Sequence, residues 1–187
     1  HWAAPARQVD QFDAKGDAMA LLEALGVPTA GLQIVQGGPA WFHPGRSGTL
    51  QFGPKMVVGA LGEIHPRILE ALDVKGPIVA IEVTLDALPP PKARPTKMKP
   101  KLVLSDFQPV SRDFAFIVDK SVPAADILKA AQAAERTLIS DISVFDLYEG
   151  PGVTEGKISV ALAVTLQPTD KTLTDSEIDA VSGRIIA

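Results

Sequence analysis

Val144-Phe145-Asp146-Leu147-Tyr148-Glu149-Gly150-Pro151-Gly152 is followed by Glu155-Gly156-Lys157-Ile158-Ser159-Val160. The stretch predicts a strand, a Gly/Pro turn and a second strand. Side chains alternate across a strand, so Asp146 and Tyr148 share one face and Phe145 and Leu147 the other. On the second strand Ile158, Val160, Leu162, Val164 and Leu166 form an apolar face, and Ser159, Ala161, Ala163 and Thr165 the opposite one. If the two strands pair as a hairpin, the aliphatic faces coincide and pack a core. The other face then carries a phenol, a carboxylate, a hydroxyl and two alanines. That is a flat platform on which a planar group could stack and be hydrogen-bonded.

Outward from the hairpin, the second half alternates strand and helix. A strand runs from Arg112-Asp113 through Phe114-Ala115-Phe116-Ile117-Val118. A helix follows towards Ala134, capped by Ser121 or by the Val122–Pro123 junction, with Ile127, Leu128 and Ala131 buried. After the hairpin, Thr174-Asp175-Ser176-Glu177 forms a capping box, and Leu173 and Ile178 are spaced as a hydrophobic staple. Ile178, Val181 and Ile185 continue the apolar stripe. The order is β-α-β-β-α. One further strand would complete a ferredoxin-like β-α-β-β-α-β fold, and that last strand is missing from the reading.

The first half predicts a mixed α/β module with a mainly antiparallel sheet. Lys15 to Leu25 reads as an amphipathic helix with Met19, Leu21, Leu22 and Leu25 on its apolar side, stopped by Gly26 and Pro28. Leu32–Val35, Thr49–Phe52, Lys55–Leu61 and Ile78–Leu85 read as strands. His65 and Pro66 open a short helix that buries Ile68, Leu69 and Leu72. His43-Pro44-Gly45-Arg46-Ser47 predicts a loop of fixed shape. Arg46 there either binds an anion or a partner chain, or pairs with a nearby carboxylate in a structural turn. Residues 88–101 hold five prolines and end both domains' regular structure. The expected organisation is a first module over 1–88, a Pro/Lys-rich linker over 89–104 and a second domain over 105–187.

Charge limits the possible functions. The 187 residues carry a formal net charge of −4. Residues 1–91 hold 6 Lys/Arg against 9 Asp/Glu, residues 92–101 hold 5 Lys/Arg and no acid, and residues 102–187 hold 7 against 13. The second half thus offers no broad basic face for phosphates. Nucleic-acid contact there would rest on stacking and on hydrogen bonds to unpaired bases. There are no cysteines, so disulfides and thiolate metal sites are excluded. No apolar run approaches the roughly 20 residues of a membrane span. The sequence opens without a signal peptide and without a Met, which reads as a piece of a longer chain.

Chemical motifs fail one by one. Gly45-Arg46-Ser47-Gly48-Thr49 lacks the second glycine of a nucleophile elbow where it is needed. His43 and His65 do not have metal-ligand spacing. Gly150, Gly152 and Gly156 lie between two strands, which is the wrong setting for a dinucleotide fingerprint. Asp146 and Glu149 flank a turn, where a carboxylate pair is ordinarily solvated surface. The expectation is no catalytic residue and no metal site.

The second half resembles the ferredoxin-fold anticodon-binding domain of the bacterial phenylalanine–tRNA ligase beta-subunit family. The residues that carry this are Phe107-Gln108-Pro109-Val110-Ser111-Arg112-Asp113, Val122-Pro123-Ala124, Val144 to Gly150 with Glu155-Gly156-Lys157, and Lys171-Thr172-Leu173-Thr174. The first half resembles the end of the same subunit's catalytic-like module through Phe12 to Asp17, Phe42 to Ser47 and Gly62-Glu63-Ile64-His65-Pro66. The resemblance implies a class II synthetase-like α+β module without catalytic residues, followed by an anticodon-binding domain. It implies that a tRNA base stacks on Tyr148, with Asp146 and Ser159 as neighbouring polar contacts and Arg112 in the same anticodon-binding set. His43 and Arg46 are implied as a partner or structural loop. It further implies a cytoplasmic assembly of two alpha and two beta subunits, in which the alpha subunit uses ATP and Mg²⁺ to attach phenylalanine to tRNA. Such a fragment would buttress the alpha subunit and bind the anticodon, and would hold no cofactor itself. Two other readings stand beside it: a protein-interaction fragment without RNA binding of its own, and a ferredoxin-like regulatory domain for a small molecule.

Overall fold

In the computed structural model, which describes residues 6–90, 101 and 104–187, the first element is a helix, α1 (Gln11–Ala24). It starts four residues earlier than the apolar pattern predicts. Asp10 supplies the reason: its carboxylate accepts the Phe12 and Asp13 N–H groups, and the Asp13 carboxylate accepts the Asp10 N–H. Two helix-end donors are satisfied by each other's side chains. The buried stripe is Ala14, Ala18 and Leu22, at i, i+4 and i+8, while Leu21 and Leu25 are exposed. The helix therefore lies close on its sheet through alanines, a face that leucine counting misassigns.

That sheet has the order β1-β2-β3-β4 and is antiparallel throughout: β1 (Leu32–Gln36), β2 (Phe42–Phe52), β3 (Met56–Ile64) and β4 (Val79–Val83). A short helix, α2 (Pro66–Ala71), joins the last two strands and starts on His65, whose Nδ1 accepts the Arg67 N–H. None of its residues is buried, and Leu72 lies exposed beyond it. Leu85 likewise leaves the strand pattern and sits exposed in a single 3₁₀ turn. Ala14, Ala18, Leu50, Val58 and Leu61 make the core, with Ile34, Val79 and Ile81 packed against it. At Gly59 a Cβ would stand 2.1 Å from the Glu82 carbonyl oxygen, so β3 and β4 approach only because a hydrogen is there.

The second unit has the order predicted: β5 (Val110–Asp119), α3 (Ala124–Ala134), β6 (Ile139–Tyr148), β7 (Lys157–Leu166) and α4 (Asp175–Ile186). Its sheet runs β5-β7-β6, antiparallel at both pairings, so β5 and β6 are parallel neighbours-but-one. Val160, Leu162, Val164 and Leu166 of the central strand are buried with Ala131 of α3 and with Ile178, Val181 and Ile185 of α4. One face of the sheet thus carries the apolar core.

Both helices are held at their ends by polar groups. Thr174 and Glu177 form the predicted capping box on α4. Lys171, together with the Thr174 N–H and hydroxyl, holds the Glu177 carboxyl down to about 2. Of the two starts expected for α3, the structure has the Val122–Pro123 junction: Pro123 is the N-cap, with no side-chain cap hydrogen bond, and Ser121 does not cap it. Past its end, Glu135 accepts the Thr137 hydroxyl and N–H, and Arg184 of α4 donates to it across the helix pair. The Thr137 bonds, with Arg184 behind them, lower the Glu135 carboxyl to about 2.

By Cα proximity the chain divides into residues 1–98 and 99–187. The proline-rich linker expected over 89–104 lies for the most part outside the described residues.

Candidate nucleic-acid interface

The face of the second sheet that turns away from the apolar core is where the sequence placed its platform. Register builds it row by row. Ile117, Ser159 and Tyr148 lie side by side across the three strands. The next row is Ala115, Ala161 and Asp146, then Asp113, Ala163 and Ser143, then Ser111, Thr165 and Asp141. Residues opposite one another in adjacent strands present their side chains on the same face. The floor is half-buried at Ser159, Ala161 and Ala163 because it is the central strand, and it is low because the side chains are small. Tyr148 stands at the edge, 46% exposed, with Ile117 55% exposed across the floor from it.

Polar groups on this face are mostly acceptors. One oxygen of Asp146 accepts the Leu147 N–H at 2.9 Å. By register, among the described residues, Asp113, Asp119, Asp141 and Asp146 share the face with a single cation, Lys157. Four carboxylates against one ammonium repel a phosphate backbone. They suit donor edges of an unpaired base, its N–H and amino groups, instead.

Tyr148 is tied to the turn beyond it. Its hydroxyl donates to the Pro151 carbonyl oxygen at 3.2 Å. The turn is itself closed by the Val153 N–H on the Gly150 carbonyl and by the Lys157 N–H on the Thr154 carbonyl. Lys120 and Glu149 form an ion pair at its base.

Two expectations are corrected here. Phe145 and Leu147 were placed on the core face; Leu147 does lie opposite the buried Val160, but the two side chains are 56% and 58% exposed and pack no core. The register slips between Val144 and Asp146, where Phe145 is the extra residue of a β-bulge. Beyond the bulge the end of the edge strand is exposed on both faces, at Leu147 as at Tyr148. Asp146 and Tyr148 remain on the open face after it, opposite Ala161 and Ser159.

Arg112 was grouped with Tyr148, Asp146 and Ser159, and the structure separates it from them. It pairs with Val164, on the face of Phe114 and Phe116. It is also five residues along the sheet from the Ser159 row, about 17 Å at the usual rise. Its guanidinium donates to the Ser111 carbonyl. The signal was present in the sequence: Arg112 has the parity of Phe114, Phe116 and Val118, which must face the core. The same parity rule would have put Asp113, Ala115 and Ile117 on the platform, and they were missed.

In the first unit the His43–Ser47 segment belongs to β2 and is not a separate loop; it bulges between the Phe42 and Ser47 pairings. Arg46 Nε donates to Glu63 Oε2 at 2.6 Å, the ion-paired alternative of its two readings. The His43 Nδ1 accepts the Gly45 N–H, and its ring lies against that of His65 with centroids 6.4 Å apart. Gly62, at φ +145°, lets β3 pass under this bulge: a Cβ there would be 2.5 Å from the Arg46 carbonyl oxygen. Among the described residues no group of three or more His, Cys, Asp or Glu side chains is arranged to hold a metal ion, and no helix is long and apolar enough to cross a membrane.

Residues 105–187 match the ferredoxin-fold anticodon binding domain family, and residues 1–85 match the phenylalanyl tRNA synthetase beta chain CLM domain family. A ferredoxin-fold anticodon binding domain model beside a phenylalanyl tRNA synthetase beta chain model places the chain in a family of aminoacyl-tRNA synthetase subunits. It is 57% identical over 187 residues to the phenylalanine–tRNA ligase beta subunit of Bradyrhizobium diazoefficiens. It is 58% identical over 188 residues to that of Rhodopseudomonas palustris and 55% identical over 186 to that of Rhodospirillum rubrum. Each match takes in all of this chain and 23% of the relative. The chain belongs to the phenylalanine–tRNA ligase beta-subunit family and spans about a quarter of the length of these relatives.

Proposed function

We propose that the second unit binds the anticodon of a tRNA on the open face of its sheet, as part of an enzyme that attaches phenylalanine to that tRNA. The observation that carries this reading is the row of Ile117, Ser159 and Tyr148 with Asp146 beside it, on the sheet face opposite the core. An unpaired base stacks on the Tyr148 ring, and Asp146 and Ser159 meet its polar edge. Stacking of one base contributes on the order of 1–3 kcal/mol. Arg112, on the other face, acts in this reading through the fold or through the backbone of a longer RNA, and not at the base.

The first unit buttresses the alpha subunit, with the His43–Arg46 bulge as a shaped part of its surface. ATP and Mg²⁺ act in the assembled enzyme of two alpha and two beta subunits, in the cytoplasm where the tRNA is met. The test is Tyr148→Ala in that assembly. Affinity for tRNA should fall by about 5- to 150-fold, the range of a lost stack, and charging at limiting tRNA should fall with it. Wild-type affinity and charging would refute the platform.

The excess of carboxylates on the open face favours a second reading for the isolated chain: it docks on the alpha subunit and binds RNA only within the assembly. Capture of the alpha subunit at micromolar concentration supports this, and no capture counts against it.

A further inference from the structure

The aromatic ring of the platform has a seat, and the seat is a glycine that the backbone does not require. Gly152 and Gly156 in the same turn adopt φ of +94° and +81°, where glycine is favoured for conformational reasons. Gly150 is absent from that region of φ. What excludes a side chain there is Tyr148: a Cβ at position 150 would lie 2.6 Å from the phenol oxygen, 2.8 Å from Cζ and 3.3 Å from Cε2. The ring therefore rests on the Gly150 backbone, and the hydroxyl is anchored one residue further on by the Pro151 carbonyl at 3.2 Å. The turn holds its own shape, through Val153 N–H on the Gly150 carbonyl and the Lys120–Glu149 pair at its base.

We infer that Gly150 is a positioning residue that holds the Tyr148 ring in one orientation ready for a base. The inference deepens the proposed anticodon-binding reading and rests on it. An exposed tyrosine on an edge strand would otherwise sample several rotamers, and ordering it would be charged against binding. Packing one side of the ring on bare backbone and fixing its hydroxyl removes that freedom before the base arrives. The ligand is one unpaired nucleobase, and the seat is indifferent to which.

Tyr148 is the single tyrosine of the chain, so selective tyrosine labelling gives one ring signal in the full 187-residue chain. Three measurements follow from it. First, nuclear Overhauser contacts between the ring and the Gly150 α-protons are expected in the free chain; their absence overturns the seat. Second, titration with an anticodon stem-loop RNA, followed on the ring and amide signals to millimolar concentration, is expected to show Gly150→Ala binding about fivefold or more weakly than wild type, the lower end of a lost stack. Third, the same substitution placed on Tyr148→Ala is expected to cost nothing further, because it acts through the ring.

If Tyr148→Ala weakens binding but Gly150→Ala does not, the seat is wrong and the platform stands. An equal loss in both backgrounds makes Gly150 a turn residue only and overturns the inference. If Tyr148→Ala binds as wild type does, or wild type does not bind, the platform itself fails and the seat with it. Should Gly150→Ala unfold the domain, Tyr148→Phe replaces it. That variant keeps ring and seat but loses the anchor, so weaker Overhauser contacts and about a twofold loss of affinity are expected, a fraction of a stack. Unchanged contacts with unchanged affinity count against the inference.

Discussion

Leu162 and Ile117 sit in adjacent strands on opposite faces of one sheet, and truncating each to alanine tests the architecture on which the interface depends. Leu162 is fully buried, paired with Phe114 on one side and Val144 on the other, in the core closed by α3 and α4. Leu162→Ala removes three carbons from water-free surroundings, about 2.4 kcal/mol of transfer free energy at roughly 0.8 kcal/mol each. The cavity left behind adds to this, for a total of about 3–4 kcal/mol. Ile117 is 55% exposed on the open face, so Ile117→Ala should cost about 1 kcal/mol or less. The Tyr148 ring signal reports unfolding of this unit alone, since both tryptophans lie in the first 41 residues. With a urea slope of about 1 kcal/mol/M, Leu162→Ala should move the midpoint down by about 3 M and Ile117→Ala by less than about 1 M. Equal shifts would mean that both faces are covered, and the open platform would have to be abandoned.

Glu177 and Glu135 titrate near 2 in the folded chain against an ordinary 4.5. A depressed folded value gives stability that is complete above the unfolded value and lost as pH falls through the folded one. The second unit should therefore weaken steadily between about pH 5 and 2, and Glu177→Gln should flatten that slope in a pH series of urea midpoints. Thr174→Ala removes the α4 cap and should cost about 1 kcal/mol at neutral pH, read in the same assay. In the first unit, Gly62→Ala forces a Cβ to within 2.5 Å of the Arg46 carbonyl oxygen at φ +145°. It should lower stability by about 2–3 kcal/mol, measured by tryptophan fluorescence, since both tryptophans lie in this half of the chain. Arg46→Ala should cost under about 1 kcal/mol, as for other half-exposed ion pairs.

The α4 cap, its buried stripe and the hairpin were legible because they are local. Thr174 and Glu177 recognise each other across one turn, and Ile178, Val181 and Ile185 share a stripe by helix geometry alone. The α1 start was missed because two aspartates replaced the usual Ser/Thr–Glu pair and alanines replaced leucines on the buried side. The exposed Leu72 and Leu85 show the limit of counting apolar residues: both lie beyond the end of the element that would bury them.

Strand parity alone puts Asp146 and Tyr148 on one face and Ser159 opposite the aliphatic row of its own strand. Parity needs only the chain's two-residue repeat. What else makes up that face depends on which strands pair. Pairing of β5 with β7 brought in Ile117, Ala115 and Asp113 from more than 40 residues away and sent Arg112 to the other side. The bulge at Phe145 took that side chain out of the pairing, and it lies exposed. Which strands become neighbours, in what register, and where a bulge breaks it are settled by the packing of the whole core.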